Sequence, residues 1–204
     1  MTWAQSAATT LEDAHVRLRP VTPDDRESLR AIAMDPDIWR YFVISVATDA
    51  EFDAFFDAGL VDQQAGRRAV YHITEKAGGR TAGSMSFGNL AEADGRLEIG
   101  WSWLGRDFRG AGVNRWAKLL LMEHAFERMQ AQRVEFKTDK LNERARRGLL
   151  NIGAVEEGTL RSYNPMPGGR RRDAVFYSVL RAEWPEVKEQ LLRQPKVRRL
   201  DGAV

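Results

Sequence analysis

Short segments that alternate between apolar and polar residues, or that are rich in β-forming residues, recur along the chain and predict β-strands. Two connections between them are tight-turn signals, Gly78 followed by Gly79 and Asp94 followed by Gly95. Because such turns join antiparallel neighbours, the strands on either side are expected to form a meander. The predicted strands cover residues 15–20, 69–74, 80–90, 97–104, 133–138, 154–161 and 172–180.

Other segments carry apolar residues at the spacing of a helix. The clearest follows Thr48, where Phe52 and Phe56 belong to an aromatic stripe behind a Thr-x-x-Glu capping box. Residues 162–171 hold two prolines and two glycines and are predicted to form a flexible loop. The predicted helices cover residues 22–33, 48–60, 116–129, 142–151 and 183–194.

The order of these elements predicts one α/β (α+β) domain. Strands 97–104 and 133–138 flank a helix, so they are expected to lie parallel with a right-handed crossover. The domain is expected to span residues 15–194. Residues 1–14, which are small and polar, are interpreted as a weakly ordered N-terminal arm, and residues 195–204 as a solvated tail.

Composition narrows the possible functions. The 31 basic and 29 acidic residues nearly balance, which argues against a general nucleic-acid binder. The absence of cysteine excludes disulfides, thiolate zinc sites and a cysteine nucleophile, and the three histidines show no metal-ligand spacing, so no metal is expected. No apolar run reaches the roughly 18 residues of a membrane span, and the first residues do not resemble a signal peptide. We therefore expect a cytoplasmic protein without a membrane partner.

A glycine-bearing turn separates strand 97–104 from the following helix, and residues 109–112 read Arg-Gly-Ala-Gly. A helix N-terminus presents unpaired N–H groups, and glycine lets the backbone approach a phosphate closely, so the turn is a candidate anion site. A Walker loop would need a lysine that is absent here, and a dinucleotide fingerprint would need a glycine where Arg115 stands. The alternative is that these glycines only form a strand-to-helix turn.

This turn and several later segments resemble a known family. The pattern Arg-x-x-Gly-x-Gly/Ala fits from residue 109, with Asn114 in its last slot. Three further segments follow in the expected order: FKTDKLNERARR at 136–147, IGAVEEGTLR at 152–161 and RDAVFYSVL at 172–180. Over residues 15–192 the chain resembles the GNAT superfamily of N-acetyltransferases. The resemblance is to the branch that includes the ribosomal-protein N-terminal acetyltransferases.

The resemblance implies a GNAT-like fold, with a mixed, mostly antiparallel sheet flanked by helices and splayed into a V between strand 97–104 and the next strand. It implies acetyl-CoA as co-substrate, its pantetheine arm in the split and its diphosphate on the turn. Two departures from the family pattern are Asn114, in place of a small residue, and Ala145, in place of a serine. The implied cofactor contacts are Trp103, Leu104, Arg109, Gly110, Ala111, Gly112, Val113, Asn114 and Asn142.

The chemistry requires a base for the amine and an acid for the leaving thiolate. Glu98 is the candidate base, since a buried carboxylate among apolar neighbours would have a raised pKa. The alternative is that Glu98 pairs with an arginine or orders the strand. Tyr163 and Tyr177 are the candidate acids, with aromatic packing as the alternative role. A backbone N–H within residues 101–103 is expected to hold the thioester oxygen.

The leading hypothesis is an N-acetyltransferase that uses direct attack in a ternary complex. Its acceptor would be a primary amine, either a protein N-terminus or a small molecule. The alternative is a non-catalytic CoA-binding regulatory module. No nucleic-acid partner is expected, and monomer and homodimer stay open. Core packing is the favoured role of Trp39, Tyr41, Phe87 and Trp101, with the wall of the acceptor site as the alternative. Solvated surface is the favoured role of Arg161 and Arg172, with contact to an acidic or carboxylate-bearing acceptor as the alternative.

Overall fold

The computed structural model describes residues 2–193, which contain a mixed sheet of eight strands. These are β1 Leu11–Glu12, β2 Val16–Pro20, β3 Ala69–Glu75, β4 Arg80–Ala91, β5 Arg96–Leu104, β6 Arg133–Asp139, β7 Val155–Pro165 and β8 Arg171–Leu180. Their order across the sheet is β1-β2-β3-β4-β5-β6-β8-β7. Neighbours are antiparallel except β5 and β6, which are parallel. The predicted meander and the predicted parallel pair are therefore confirmed.

Within residues 2–193, seven α-helices flank the sheet. They are α1 Trp3–Ala7, α2 Arg26–Ala33, α3 Pro36–Trp39, α4 Asp49–Gln64, α5 Val113–Glu123, α6 Glu143–Asn151 and α7 Trp184–Arg193. The predicted capping box is present on α4, where the Thr48 side chain accepts from the Glu51 N–H at 3.2 Å. After α5 the chain widens into a π-helical turn, His124–Arg128. None of these helices has the length and apolar character needed to cross a bilayer.

Apolar side chains pack on both sides of the sheet. On one side, called the α5 side below, residues of α5 and α7 pack against Leu97 and Ile99 of β5. On the other, called the α4 side, α2, α3 and α4 cover Trp103. Phe52 and Phe56 are buried on the α4 side, as the stripe predicts.

The sheet splays open between its two parallel strands. The pairing of β5 with β6 is confined to Arg96–Glu98 opposite Arg133–Glu135. From Ile99 onward β5 stays paired with β4 only, while β6 continues along β8 as far as Asp139. Main-chain groups on the β6 side of residues 99–104 therefore have no strand partner. The expected V-shaped split is present at the expected strand.

The expectation of a weakly ordered N-terminal arm is wrong. Trp3 is only 7% exposed, and its indole Nε1 donates to the Met129 carbonyl at 2.7 Å. The Tyr71 hydroxyl donates to the Ala7 carbonyl. Burial of one large aromatic side chain, with its polar atom satisfied, offsets the entropy lost in ordering a short polar segment. The predicted tail at 195–204 lies outside the described residues.

The predicted flexible loop at 162–171 is also wrong over half of its length. Strand β7 continues to Pro165, and β8 already begins at Arg171. Ser162 adopts a positive φ of 55°, and its N–H donates to Asp173 Oδ1 at 2.8 Å, so the strand continues past an irregularity in its register. Because β7 takes up this distortion, only residues 166–170 remain as a connection.

Candidate active site

Strand β5 carries a bulge in the segment where it leaves β6. Trp103 pairs with Ser84 and Gly100 with Ser86, so β5 has one residue more than β4 between these pairs. Trp101 lies in this segment with a φ of 49°, in the left-handed region. A bulge re-aims main-chain groups next to a cleft. The segment is the one in which a donor for the thioester oxygen is predicted, and that role stays a prediction.

The turn between β5 and α5 presents backbone N–H groups without acceptors. Gly110 and Gly112 have φ values of 77° and 83°, which glycine adopts without the steric cost of a Cβ. Within residues 2–193, no acceptor is found for the N–H groups of Gly110, Gly112, Val113 and Asn114. Unpaired N–H groups at the positive end of a helix dipole form the type of site that binds phosphate.

Arg109 and Ala111 differ from their neighbours in the turn, because their N–H groups donate to carbonyls inside it, at 3.2 and 3.4 Å. The Arg109 guanidinium donates to Asp35 Oδ2 at 2.9 Å and to the Leu104 carbonyl at 3.2 Å. Arg109 therefore ties the turn to the end of β5 and to the start of α3. Its predicted cofactor contact remains a proposal.

The unusual Asn114 has a partner one helical turn further along. Its side-chain Oδ1 accepts from Lys118 Nζ at 2.5 Å. Lys118 is 6% exposed, and burial lowers the pKa of its ammonium from the ordinary 10.5 to about 8. An asparagine at the end of the turn thus supplies a hydrogen bond that a small apolar residue there could not.

Trp103 and Leu104, the predicted pantetheine contacts, have buried side chains on opposite sides of the sheet. Trp103 packs on the α4 side, with its ring 5.8 Å from that of Trp39, and Leu104 packs on the α5 side. Any contact with a pantetheine arm in the split would therefore come from their main chain. Asn142 caps α6, its Oδ1 accepting from the Ala145 N–H at 3.1 Å.

Glu98 is buried on the α4 side of the sheet but is not surrounded by apolar groups. Its Oε2 accepts from Asn89 Nδ2 at 2.6 Å and from Lys137 Nζ at 2.8 Å. Its Oε1 leans along the strand, since a Cβ on Gly100 would lie 2.8 Å from it. The expected apolar environment is wrong because Lys137, from the neighbouring strand, supplies a counter-charge. An ion pair exists, but with a lysine and not with an arginine.

The two candidate acids lie on different sides of the sheet. Tyr163 of β7 is 41% exposed, and its ring packs edge-on against Phe176 at 5.4 Å. Phe176 is paired with Lys137, so Tyr163 lies on the same side as Glu98. Tyr177 is buried on the α5 side, where its hydroxyl donates to Glu156 Oε2 at 2.6 Å and burial raises its pKa.

The residues considered for the acceptor site also lie on different sides of the sheet. Phe87 is fully buried in the core on the α5 side, so its favoured role in packing is confirmed and its alternative place at the acceptor is wrong. Trp39 is buried on the α4 side, and Trp101 lies under the Arg68 guanidinium at 4.9 Å. Arg161 is exposed on β7. Arg172, in contrast, is almost fully buried.

Sequence reasoning missed two partners of Glu98, namely Asn89 and Lys137. Both lie within predicted strands, and alternation alone assigns Lys137 to a polar face. The signal that could have found them is register, since Glu135 pairs with Glu98 and residue 137 is two positions further along the same face.

Comparison with known proteins identifies the family of the chain. A family model described as an acetyltransferase (GNAT) domain matches residues 15–155. The chain belongs to the GNAT acetyltransferase family. It is accordingly an acyltransferase of the family that transfers acetyl groups from acetyl-CoA.

Individual relatives agree with this assignment. The chain is 34% identical over 106 residues to the Bacillus subtilis protein named "Putative ribosomal N-acetyltransferase YdaF". The matched region covers 52% of this chain and 57% of that relative. It is 36% identical to a T. thermophilus protein whose crystal structure is named "putative acetyltransferase", with a TM-score of 0.81 and coverage of 90% and 95%. RimJ of Mycobacterium smegmatis, solved with CoA-disulfide, shares the fold at 21% identity, with a TM-score of 0.79 and coverage of 92% and 95%.

Proposed function

We propose that this GNAT acetyltransferase moves its acetyl group to a primary amine, by direct attack within a ternary complex. The observation that carries the proposal is the set of unpaired N–H groups at the start of α5, directly after a strand that has separated from its neighbour. A diphosphate held there would direct the rest of a CoA molecule along the open edge of β5.

Residues of three elements would hold acetyl-CoA, which supplies an activated acyl group as a thioester. The diphosphate would lie against the N–H groups of 110–114, apart from the internally bonded one of Ala111. The pantetheine arm would lie along the main chain of residues 99–104, including Trp103 and Leu104. Asn142 would meet the same arm from the start of α6.

Glu98 would receive the proton that the amine releases on attack. One carboxylate oxygen is held by Asn89 and Lys137, while Oε1 has no hydrogen-bond partner among the described residues. The free oxygen leans toward the bulge, where the thioester is expected. An α-amine has a pKa of about 8, so only a modest base is required.

Tyr163 is the better candidate for the proton that the leaving thiolate needs. It lies on the same side of the sheet as Glu98 and keeps an exposed edge. The Tyr177 hydroxyl already donates to a carboxylate on the opposite side. Tyr177 is therefore proposed as the second choice.

The test is release of free thiol from acetyl-CoA by the purified protein, with the acetylated product identified by mass spectrometry. The amines should include peptides with the N-terminal sequences of ribosomal proteins, which the name of YdaF suggests, together with polyamines and aminoglycosides. We expect amine-dependent thiol release with at least one class. Tight calorimetric binding of CoA without thiol release for any amine would instead support a non-catalytic module.

A further inference from the structure

Arg172, at the start of β8, is a buried cation without a carboxylate partner among the described residues. It is 7% exposed, and the only hydrogen bond of its side chain there runs from Nη2 to the Asn164 Oδ1 at 2.6 Å. Its Nε is buried and has no acceptor within residues 2–193. Buried charges are ordinarily paired, because leaving one unpaired in a low-dielectric site is costly.

The carboxylates nearest to Arg172 are already engaged by other cations. Asp139 accepts from Arg170 through one oxygen and from the Leu141 N–H through the other, at 3.0 Å. Glu98 accepts from Lys137. Burial lowers the pKa of Arg172, while the fields of these two carboxylates favour its charged form. Asp139 and Glu98 thus each have another cation as partner, and Arg172 has no carboxylate of its own among the described residues.

Arg172 lies on the side of the sheet where the acceptor is expected. The pairing of β6 with β8 ends at Asp139 and Ala174, and residue 172 is two positions beyond Ala174 on the same face. This face carries Lys137 and, across the sheet, Glu98. Tyr163 lies next to Asn164, which pairs with Arg172 and accepts its hydrogen bond.

A second buried arginine shows that this arrangement is not general in the molecule. Arg68 is also 7% exposed and also has a buried Nε without an acceptor in the described part of the chain. It nevertheless has Asp62 at 3.5 Å and the face of Trp101 at 4.9 Å. Among the described residues, Arg172 has neither a carboxylate within ion-pair distance nor an aromatic ring under its guanidinium.

We propose that the acceptor amine carries a carboxylate and that Arg172 binds this carboxylate through its guanidinium. This inference deepens the proposed function and rests on it. A guanidinium presents two parallel N–H groups to a carboxylate and so fixes its orientation as well as its charge. This carboxylate could belong to a small amino acid or to an acidic residue near a peptide N-terminus.

The experiment compares matched acceptors on the unmodified protein. β-Alanine is paired with β-alaninamide, and the peptide amide Ser-Glu-Ala-Ala with Ser-Gln-Ala-Ala, each followed by thiol release. For the class that is used, we expect KM to be at least about tenfold lower for the carboxylate, because a buried site rejects a partner that leaves its charge unpaired. Equal KM values within both pairs would overturn the inference while leaving the transferase activity established.

Single substitutions test whether Arg172 is the source of the preference for a carboxylate. R172M should remove the preference by raising KM for the carboxylate acceptor to that for the amide, and R172K should restore part of it. R171M is the matched control, because Arg171 is exposed and precedes Arg172 on the same strand, and it should keep the preference. A preference that survives in folded R172M would overturn the assignment to Arg172. No thiol release with any acceptor would instead overturn the proposed function itself.

Discussion

The two ends of β5 carry the two halves of the site and are built in different ways. The C-terminal end passes into a turn whose unpaired groups belong to the main chain of residues 110–114. At the N-terminal end, Glu98 meets Asn89 of β4 and Lys137 of β6, so the groups are side chains from three strands. The first end depends on local backbone conformation, whereas the second depends on strand register.

This difference determines how each end can be damaged. Main-chain donors cannot be removed by exchanging a side chain; they can only be blocked or displaced. A cluster of side chains can be dismantled one group at a time. The turn should therefore respond mainly to bulk and charge placed within it, and the Glu98 end should respond to isosteric exchanges.

The largest effect is expected for Gly112→Asp. A non-glycine residue at a φ of 83° is strained by about 1 kcal/mol or more, and its carboxylate would repel a diphosphate at the same place. We expect CoA affinity, measured by calorimetry, to fall by at least about a hundredfold, because the added carboxylate both repels the diphosphate and occupies its place.

The matched control for this variant is Gly79→Asp in the turn between β3 and β4. Gly79 has a φ of 64°, and a Cβ built on it would meet no atom within 4 Å. It therefore repeats the strain and the charge away from the site, and CoA affinity should stay unchanged. Wild-type affinity in Gly112→Asp would show that the diphosphate is not held by this turn.

The same contrast explains how far the sequence could predict the structure. The turn was predictable because the glycines and the helix that follows are adjacent along the chain. The surroundings of Glu98 were not, because Lys137 is 39 residues away and meets it only after two strands adopt a particular register. The prediction for the N-terminal arm failed for the same reason, since the Trp3 indole is held by the Met129 carbonyl, which is 126 residues away.

A smaller effect, about a hundredfold on turnover, is expected for Glu98→Gln, as is typical when a general base is removed. The amide is nearly isosteric but cannot accept the proton. CoA affinity should not change, because the exchange lies at the other end of β5. Thiol release at saturating acetyl-CoA, together with calorimetry, separates the two effects.

Glu135→Gln is the control for charge removal on β6, where Glu135 pairs with Arg133 at 2.8 Å. It should retain turnover, although it too exchanges a partly buried, paired glutamate for the amide. If both variants lose turnover to the same degree, the effect belongs to the charge balance of the sheet and not to a base at Glu98.

The smallest effect is expected for Lys118→Met, on stability. Replacing a buried charge by an apolar side chain of similar length should raise the free energy of unfolding by about 2 kcal/mol at pH 7. CoA affinity should stay within about twofold if main-chain N–H groups hold the diphosphate, because the nearby ammonium then adds little. Denaturant unfolding and calorimetry measure the two quantities.

The pH dependence of Lys118→Met distinguishes a buried charge from a packing effect. The folded-state pKa of Lys118, about 8, is below its ordinary value of 10.5, so the charged form is penalised on folding. That penalty is fully present below about pH 8 and disappears as the pH rises toward 10.5. The stability advantage of the variant should therefore shrink across this window. A constant advantage would indicate improved packing alone, and a tenfold loss of CoA affinity would show that side chains as well as the main chain bind at the turn.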